Sequence, residues 1–162
     1  MLLVSGGASV GDYDFGTRAL EELGFAIHFR QINLRPGKPL VFATRGRQVA
    51  FVIPGNPVSH FVTFHAAIRL ALECLEGGPQ SWPLAPVELG GDLPMKPDTR
   101  EMWWPAHVTA VEGVLRAHPL SWQSSGDLRG LVSANALLPI APGTGALARG
   151  SSFRALLLNS RL

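Results

Sequence analysis

The 162-residue chain is 46% hydrophobic, enough to bury the core of one compact domain or of one and a half. Its formal net charge of +2 and its lack of a basic run exclude an electrostatic argument for nucleic acid binding. A single cysteine, Cys74, excludes an internal disulfide framework and a cysteine metal cage. The opening MLLV is too short for a signal peptide, and no apolar run approaches a membrane span. We therefore expect a soluble, cytoplasmic protein.

The first 80 residues alternate between strand and helix patterns. LLVSGG has the pattern of a short buried parallel strand, and Asp14 can cap a helix in DFGTRALEELG that ends at Gly24. FAIHFRQINL, PLVFAT and QVAFVI are predicted strands, the last two forming a pair joined around Gly46. A helix is predicted after PGNPVSH and ends at Gly77. This order predicts a parallel α/β sheet that binds ligands at the carboxyl ends of its strands.

After the linker GGPQSWPLAP the helical period disappears. APVELGGDL, WWPAHVTAVEG, VLRAHPL, ANALLPIA and FRALLL are short candidate strands separated by turn residues. We therefore predict a partial parallel-sheet, three-layer α/β domain over residues 1–80 and a small all-β barrel or sandwich over residues 81–162. In the second domain, alternation predicts that Trp103 and Trp104 point to opposite faces of a strand, one into the core and one to an interface.

The loop SGGASVGDYD carries two kinds of possible ligand contact. Gly6 and Gly7 allow backbone N–H groups to approach an anion, and Ser9 adds a hydroxyl. Asp12 and Asp14 offer hard oxygen ligands suited to Mg²⁺, which would bridge to ligand phosphates. The structural alternative is an ordinary strand-to-helix turn in which Asp14 is the N-cap.

Two further turns carry possible anion contacts. In LRPGKP, Arg35 and Lys38 lie on either side of a Pro-Gly turn that would hold both cations around an oxyanion; the alternative is a solvated connection. In PGNPVS, the free N–H groups of a helix start would form an anion site to which Asn56 and Ser59 add hydrogen bonds; the alternative is a rigid capping turn. Together the three turns predict one site. The five histidines show no zinc spacing.

In this order and spacing, SGGASVGDYDF, LRPGKPLVFA and VIPGNPVSHFVTF resemble the second half of the molybdenum-cofactor-biosynthesis domain of MoeA and gephyrin. Residues 124–144, SSGDLRGLVSANALLPIAPGT, are similar to a signature of the same family's C-terminal β-domain. The chain is therefore identified as a member of the molybdopterin molybdenumtransferase family. The resemblance implies binding of adenylylated molybdopterin, Mg²⁺-dependent hydrolysis of the adenylate and insertion of molybdate into the dithiolene.

The resemblance also implies roles for individual residues. Asp14 and Lys38 are the expected catalytic residues, and Asp14 with Asp12 is expected to hold Mg²⁺. The residues expected to contact the pterin and its adenylate are Gly6, Gly7, Ser9, Gly11, Arg35, Gly37, Pro54, Gly55, Asn56, Ser59, Ser133 and Asn135. The chain departs from the family pattern at Arg35, where lysine is usual, at Ala136, where glycine is usual, and at Trp104, where arginine is usual.

Members of the family carry further N-terminal domains, so we expect this chain to be a fragment, a truncated gene product or one half of a split protein. The resemblance implies a small-molecule pterin substrate, a homodimer in the full-length form and an adenylyltransferase as a possible partner. An alternative is a non-catalytic molybdopterin-binding or protein-interaction fragment. Because a sheet cut at its first strand exposes an edge and apolar surface, we expect the isolated chain to self-associate.

Overall fold

The computed structural model describes residues 1–7, 15–78, 81–122, 124 and 126–158. The chain divides into two compact units, Met1–Gln80 and Ser81–Leu162. Each unit has its own hydrophobic core. The first is α/β and the second all-β, as the sequence predicts.

The described part of the first unit contains strands, a short helix and a longer helical stretch. Their bounds are β1 (Leu2–Ser5), α1 (Phe15–Glu22), β2 (Ala26–Phe29), β3 (Leu34–Arg35), β4 (Val41–Arg45), β5 (Gln48–Ile53), α2 (Pro57–Thr63), a π-helical turn (Phe64–Ile68) and α3 (Arg69–Leu75). The four-stranded sheet has the order β1-β5-β4-β2. β1 is parallel to β5, as predicted for LLVSGG, whereas β5–β4 and β4–β2 pair antiparallel. The sheet is therefore mixed.

Alternating side chains of β4 and β5 separate the two faces of this sheet. Val41, Ala43, Ala50 and Val52 point to one face, where they form a cluster with Leu20 of α1. On the other face, Leu40, Phe51 and Ile53 form a second cluster with Ile68 of the long helical stretch. Successive side chains of a strand point to opposite faces, so neighbouring residues belong to different clusters. Both faces of the sheet are apolar, and each is covered by a helix. The unit thus has the three layers predicted from the sequence.

The helical stretch that begins at Pro57 is apolar on most of its surface. By length and composition, Pro57–Leu75 is the one helix among the described residues that could cross a membrane, with a hydropathy of 1.2. The core helix of a soluble domain passes the same test. Val58, Val62 and Ile68 on this stretch have no solvent exposure, and 33% of the stretch is buried in the structure.

The second unit forms a small barrel. Its described elements are β6 (Leu84–Leu89), β7 (Glu101–Val111), β8 (Val114–Pro119), a 3₁₀-helix (Leu128–Leu131), β9 (Ala136–Ile140) and β10 (Ser152–Leu157). Among these strands the order is β7-β8-β6-β10-β9, and an additional pairing of β7 with β9 closes the circle. The five strands correspond to the five predicted segments. Each strand alternates an inward apolar residue with an outward one, and this alternation is the pattern that made the strands recognisable in the sequence.

The two adjacent tryptophans of β7 lie on opposite faces, as alternation predicts. Trp104 packs against the barrel core, and its ring meets Trp122 at 5.2 Å between centroids. Trp103 is only 2% exposed and has Trp82 against it at 5.7 Å. Both indoles are thus held by aromatic neighbours of the same unit.

Candidate functional site

The glycine turn after β1 lies against the turn after β5. Gly6 donates its N–H to the carbonyl of Ile53 at 2.9 Å, which continues the parallel pairing of the two strands. A Cβ built on Gly55 would meet the Cα of Gly6 at 3.8 Å. Gly6 and Gly7 have φ angles of 82° and 71°, values that favour glycine. Two of the three predicted turns therefore adjoin at the carboxyl ends of β1 and β5.

Part of the glycine–aspartate loop lies outside the described residues, and this part includes Ser9, Gly11, Asp12 and Asp14. Their predicted roles stay predictions. The described residues on either side lie close together, since a Cβ on Gly7 would be 3.1 Å from the backbone nitrogen of Gly16 in α1.

The PGKP turn presents its two cations to solvent. Arg35 and Lys38 are exposed, whereas Pro36 and Gly37 between them are buried. The carbonyl of Lys38 accepts the N–H of Ile32 at 2.9 Å and the N–H of Leu40 at 3.1 Å, so the backbone of the turn is fixed by its neighbours. The Arg35–Pro36 peptide bond is cis. The turn thus carries two exposed cationic residues, three positions apart in the chain, on a fixed backbone.

This turn packs against α2, at its last residue Thr63 and at Ser59 one turn earlier. A Cβ on Gly37 would lie 2.5 Å from Cγ2 of Thr63 and 3.7 Å from the carbonyl oxygen of Ser59. Ser59 and Thr63 are buried, with 5% and 0% exposure. The structure therefore brings the PGKP turn to the same helix that follows the PGNP turn.

The PGNP turn starts α2 without a side-chain cap. Asn56 is the N-cap residue with φ −66° and ψ 126°, and Pro57 follows at the first helical position. The first backbone bond of the helix runs from the His60 N–H to the Asn56 carbonyl at 2.8 Å. The N–H groups of Val58 and Ser59 come before this bond and have no acceptor within the helix. Such a helix start favours an anion.

The described parts of all three turns thus meet at one end of the sheet. Gly6 adjoins Gly55, and Gly37 adjoins Ser59 one turn into α2. Two exposed cations and one helix start lie in this region. The arrangement can neutralise and orient an oxyanion.

Two predicted ligand contacts, Ser133 and Asn135, lie in the second unit. Ser133 is exposed, and its carbonyl accepts a hydrogen bond from Nδ1 of His107 at 2.8 Å. The side chain of Asn135 is bonded to the main chain of Val108, with Oδ1 and Nδ2 at 2.6 and 2.8 Å from its nitrogen and oxygen. Sequence reasoning missed this structural function of Asn135, because nothing local indicates a partner 27 residues away. At the neighbouring departure from the family pattern, Ala136 is fully buried in β9.

One histidine has an unusual environment that the sequence did not indicate. Burial, and secondarily the charge of Arg69, lowers the pKa of His65 from 6.5 to about 4. Its Nδ1 is buried and finds no hydrogen-bond partner among the described residues, and its ring meets the edges of Phe61 and Phe64. No group of three or more His, Cys, Asp or Glu in the described part of the chain could hold a metal ion.

Two family models match the two units in turn. The probable molybdopterin binding domain matches residues 1–73, and the MoeA C-terminal region (domain IV) matches residues 86–158. These matches define the class: an α/β unit of the probable molybdopterin binding domain type followed by a β-domain of the MoeA C-terminal type. The chain belongs to the MoeA and gephyrin family.

Similar proteins agree with this assignment. The chain is 38% identical over 140 residues to the molybdenum cofactor synthesis protein cinnamon of Drosophila melanogaster, covering 85% of this chain and 23% of that protein. It is 32% identical over 165 residues to a molybdopterin molybdenumtransferase of Nostoc, covering 98% of this chain and 37% of that protein. A crystal structure of the molybdopterin biosynthesis MoeA protein from Pyrococcus horikosii superposes with a TM-score of 0.73 at 22% identity, covering 98% of this chain and 37% of that one, and so has the same fold. The chain thus spans about a quarter to two fifths of the length of these relatives.

Proposed function

We propose that this chain carries the pterin- and molybdate-handling part of a molybdopterin molybdenumtransferase. In this proposal it binds adenylylated molybdopterin, takes part in Mg²⁺-dependent hydrolysis of the adenylate and supports insertion of molybdate into the pterin dithiolene. The observation that carries the proposal is the meeting of three turns at one end of the sheet, seen in the contact of Gly6 with Gly55 and in the approach of Gly37 to Ser59. The relatives' names, molybdenum cofactor synthesis protein and molybdopterin molybdenumtransferase, support the choice of ligand.

The residues of the site would act on the charged parts of the substrates. The backbone N–H groups of Val58 and Ser59 would bind phosphate oxygens at the start of α2. Lys38 and Arg35 would neutralise a second oxyanion, and the fixed backbone of their turn lowers the entropy lost on binding. The dithiolene sulfurs belong to the substrate and would capture the molybdenum. The protein's part is therefore to orient and neutralise.

The implied Mg²⁺ matches the donor chemistry of the glycine–aspartate loop. Mg²⁺ binds through one or two carboxylates together with substrate phosphates and water, so it does not need a cage of three protein ligands. The described residues contain no such cage, and Asp12 and Asp14 are the residues that would hold the ion. When bound, Mg²⁺ would polarise the adenylate phosphate for attack by water.

The proposal includes a wider setting, which the family resemblance suggests. The substrate is a small-molecule pterin, supplied by an adenylyltransferase, and the reaction takes place in the cytoplasm. The full-length protein would act as a homodimer.

The proposal is tested by molybdate insertion with the purified, folded chain. Adenylylated molybdopterin, Mg²⁺ and molybdate are supplied, and active cofactor is measured by reconstitution of a molybdenum-free enzyme. We expect activity that Lys38→Met lowers and that Arg47→Met does not. Arg47 is an exposed cation in the β4–β5 connection, at the opposite end of β5 from the PGNP turn, and is therefore a matched control. Equal activity in both variants would contradict the proposed role of Lys38.

A second candidate is a non-catalytic molybdopterin-binding or protein-interaction fragment. It is favoured by the exposed β1, where Leu2 and Leu3 are 41% and 43% accessible. A folded chain that binds the pterin but inserts no molybdate would support this candidate over the first.

A further inference from the structure

The PGKP turn and the helix after the PGNP turn interlock at one pair of residues. Gly37 has a φ of 116°, and a Cβ there would lie 2.5 Å from Cγ2 of Thr63, closer than real Cβ contacts. Gly37 is buried and Thr63 has no exposure. The methyl group of Thr63 therefore occupies the space that any side chain at position 37 would need.

The orientation of that methyl group is fixed by the hydroxyl on the same carbon. Oγ1 of Thr63 donates to the carbonyl of Ser59 at 2.8 Å, with the carbonyl of His60 at 3.1 Å. Because a β-branched side chain has few χ1 choices, a hydroxyl bonded to the preceding helical turn leaves the methyl in one position. The contact of Cγ2 with Gly37 is thus a fixed feature of the helix surface.

The contact between Gly37 and Thr63 influences the position of the two exposed cations. Arg35 and Lys38 lie on either side of the buried Pro36–Gly37 pair. The carbonyl of Lys38 is bonded to Ile32 and Leu40 on the strand side of the turn, whereas Gly37 contacts α2 on the other. A change in the distance between Gly37 and α2 would therefore move both charges relative to the start of α2.

We propose that Thr63 is a positioning residue for the Arg35/Lys38 pair: its methyl group sets the distance of the PGKP turn from α2 without touching the ligand. This inference rests on the proposed function, because it assumes that the turn binds an oxyanion. It adds a buried residue outside the three turns and names the atom, Cγ2, through which that residue acts.

The first test measures binding of inorganic phosphate, and separately of molybdate, by following backbone amide shifts of the full chain. Thr63→Ser removes Cγ2 but keeps the hydroxyl, and we expect it to weaken binding by about tenfold, since small misplacements of charged groups are costly. Thr63→Val, the conservative variant, loses the hydroxyl but keeps the methyl, which the single χ1 rotamer preferred by valine in a helix holds in place; we expect it to retain most of the affinity. Ile68→Val deletes one methyl from another fully buried side chain of the same helical stretch and controls for loss of packing alone.

A double-mutant cycle tests the contact itself. Gly37→Ala should weaken phosphate binding more in the original chain than in the Thr63→Ser background, where the clashing methyl is absent. The strain of a positive φ at position 37 is common to both backgrounds and cancels in the comparison.

The outcomes separate the two levels of the proposal. If Lys38→Met weakens binding but Thr63→Ser changes it no more than Ile68→Val does, the positioning function of Thr63 is overturned and the anion site stands. If neither anion binds to the unsubstituted chain, or if Lys38→Met has no effect, the anion site and the inference both fail. Weaker binding in Thr63→Ser, retained in Thr63→Val, establishes the positioning function.

Discussion

The side-chain amide of Asn135 pairs with the main chain of Val108 as a neighbouring strand would. Oδ1 accepts the Val108 N–H at 2.6 Å, and Nδ2 donates to the Val108 carbonyl at 2.8 Å. The backbone N–H of Asn135 donates to the carbonyl of Ala106 at 3.2 Å, and its carbonyl accepts the N–H of Leu158 at 2.9 Å. Since β9 begins only at Ala136, this one side chain extends the closure of the barrel beyond the end of the strand.

We expect Asn135→Ala to lower the free energy of unfolding of the second unit by about 1–3 kcal/mol, because the N–H and carbonyl of Val108 both lose their partner. Urea unfolding followed by tryptophan fluorescence measures the change, since Trp103 and Trp104 belong to this unit. Val132→Ala is the control, because Val132 is 86% exposed. If the two variants unfold at the same urea concentration, the Asn135 bridge contributes nothing to stability.

The stability of the first unit should fall in mild acid because of His65. Its pKa in the folded state is lowered to about 4 by burial and by Arg69, from 6.5 in the unfolded chain, so the folded state binds a proton less readily. The contribution of the neutral ring is complete above pH 6.5 and is lost as the pH falls toward 4. We expect His65→Phe, which keeps the aromatic contacts, to flatten this dependence between pH 7 and 4. NMR titration is the direct measurement, and a His65 that titrates near 6.5 would refute the prediction.

Gly55 offers a way to separate ligand binding from folding. A Cβ added at Gly55 would lie 3.8 Å from the Cα of Gly6, an ordinary contact distance. The φ angle of Gly55 is not in the positive range. We therefore expect Gly55→Ala to change stability by less than about 1 kcal/mol, while weakening phosphate binding if the ligand approaches the backbone of this turn. Calorimetry and a phosphate titration measure the two effects.

Gly16→Ala is the reciprocal control for this experiment. A Cβ at position 16 would lie 2.5 Å from Cγ1 of Val52, so this variant should lose about 1–3 kcal/mol of stability. Loss of stability in Gly55→Ala as large as in Gly16→Ala would show that Gly55 serves the fold and not a ligand.

The isolated chain should self-associate through β1. This strand pairs only with β5 among the described strands, and Leu2 and Leu3 are 41% and 43% exposed. An unpaired edge with apolar side chains favours association with a second chain. We expect Leu3→Lys to raise the fraction of monomer in sedimentation velocity runs. A sharp monomer peak for the unsubstituted chain across a concentration series would refute the prediction.

Asp14→Ala tests the predicted metal ligand. We expect the substitution to abolish Mg²⁺-dependent turnover because the ion would lose a carboxylate ligand, whereas the circular dichroism spectrum should change little. Glu22→Ala, at the far end of α1, is a matched loss of one carboxylate. Unchanged turnover in Asp14→Ala would remove this residue from the mechanism.

Alternating patterns predicted much of the fold correctly. The pair β4–β5 and the five barrel strands follow from side chains that alternate between two faces, a local property of the sequence. The direction of pairing is not local. PLVFAT and QVAFVI are apolar on both faces whether their neighbours are parallel or antiparallel, so the mixed sheet could not be inferred from composition alone.

In the candidate site, too, the local features could be predicted from the sequence and the long-range contacts could not. Glycine and proline identified the three turns, because these residues set backbone geometry locally. The contact of Gly37 with Thr63 and the bridge from Asn135 to Val108 depend on residues 26 and 27 positions apart, and no short motif encodes them. Residues 8–14, which include two of the predicted carboxylates, lie outside the described structure.

In the PGKP turn, the atoms that hold the backbone in place are different from the atoms that carry the charge. Its backbone is fixed by the carbonyl of Lys38 and by the missing side chain of Gly37, and neither the guanidinium of Arg35 nor the ammonium of Lys38 is needed for those contacts. Replacing the side chain of Lys38 by another cation should therefore leave these backbone contacts in place. At position 35, where the family resemblance implies lysine, the chain has arginine, which presents a planar donor fork instead of a point charge. The chemistry that this turn offers to a ligand and the contacts that hold its backbone thus depend on different atoms of the same four residues.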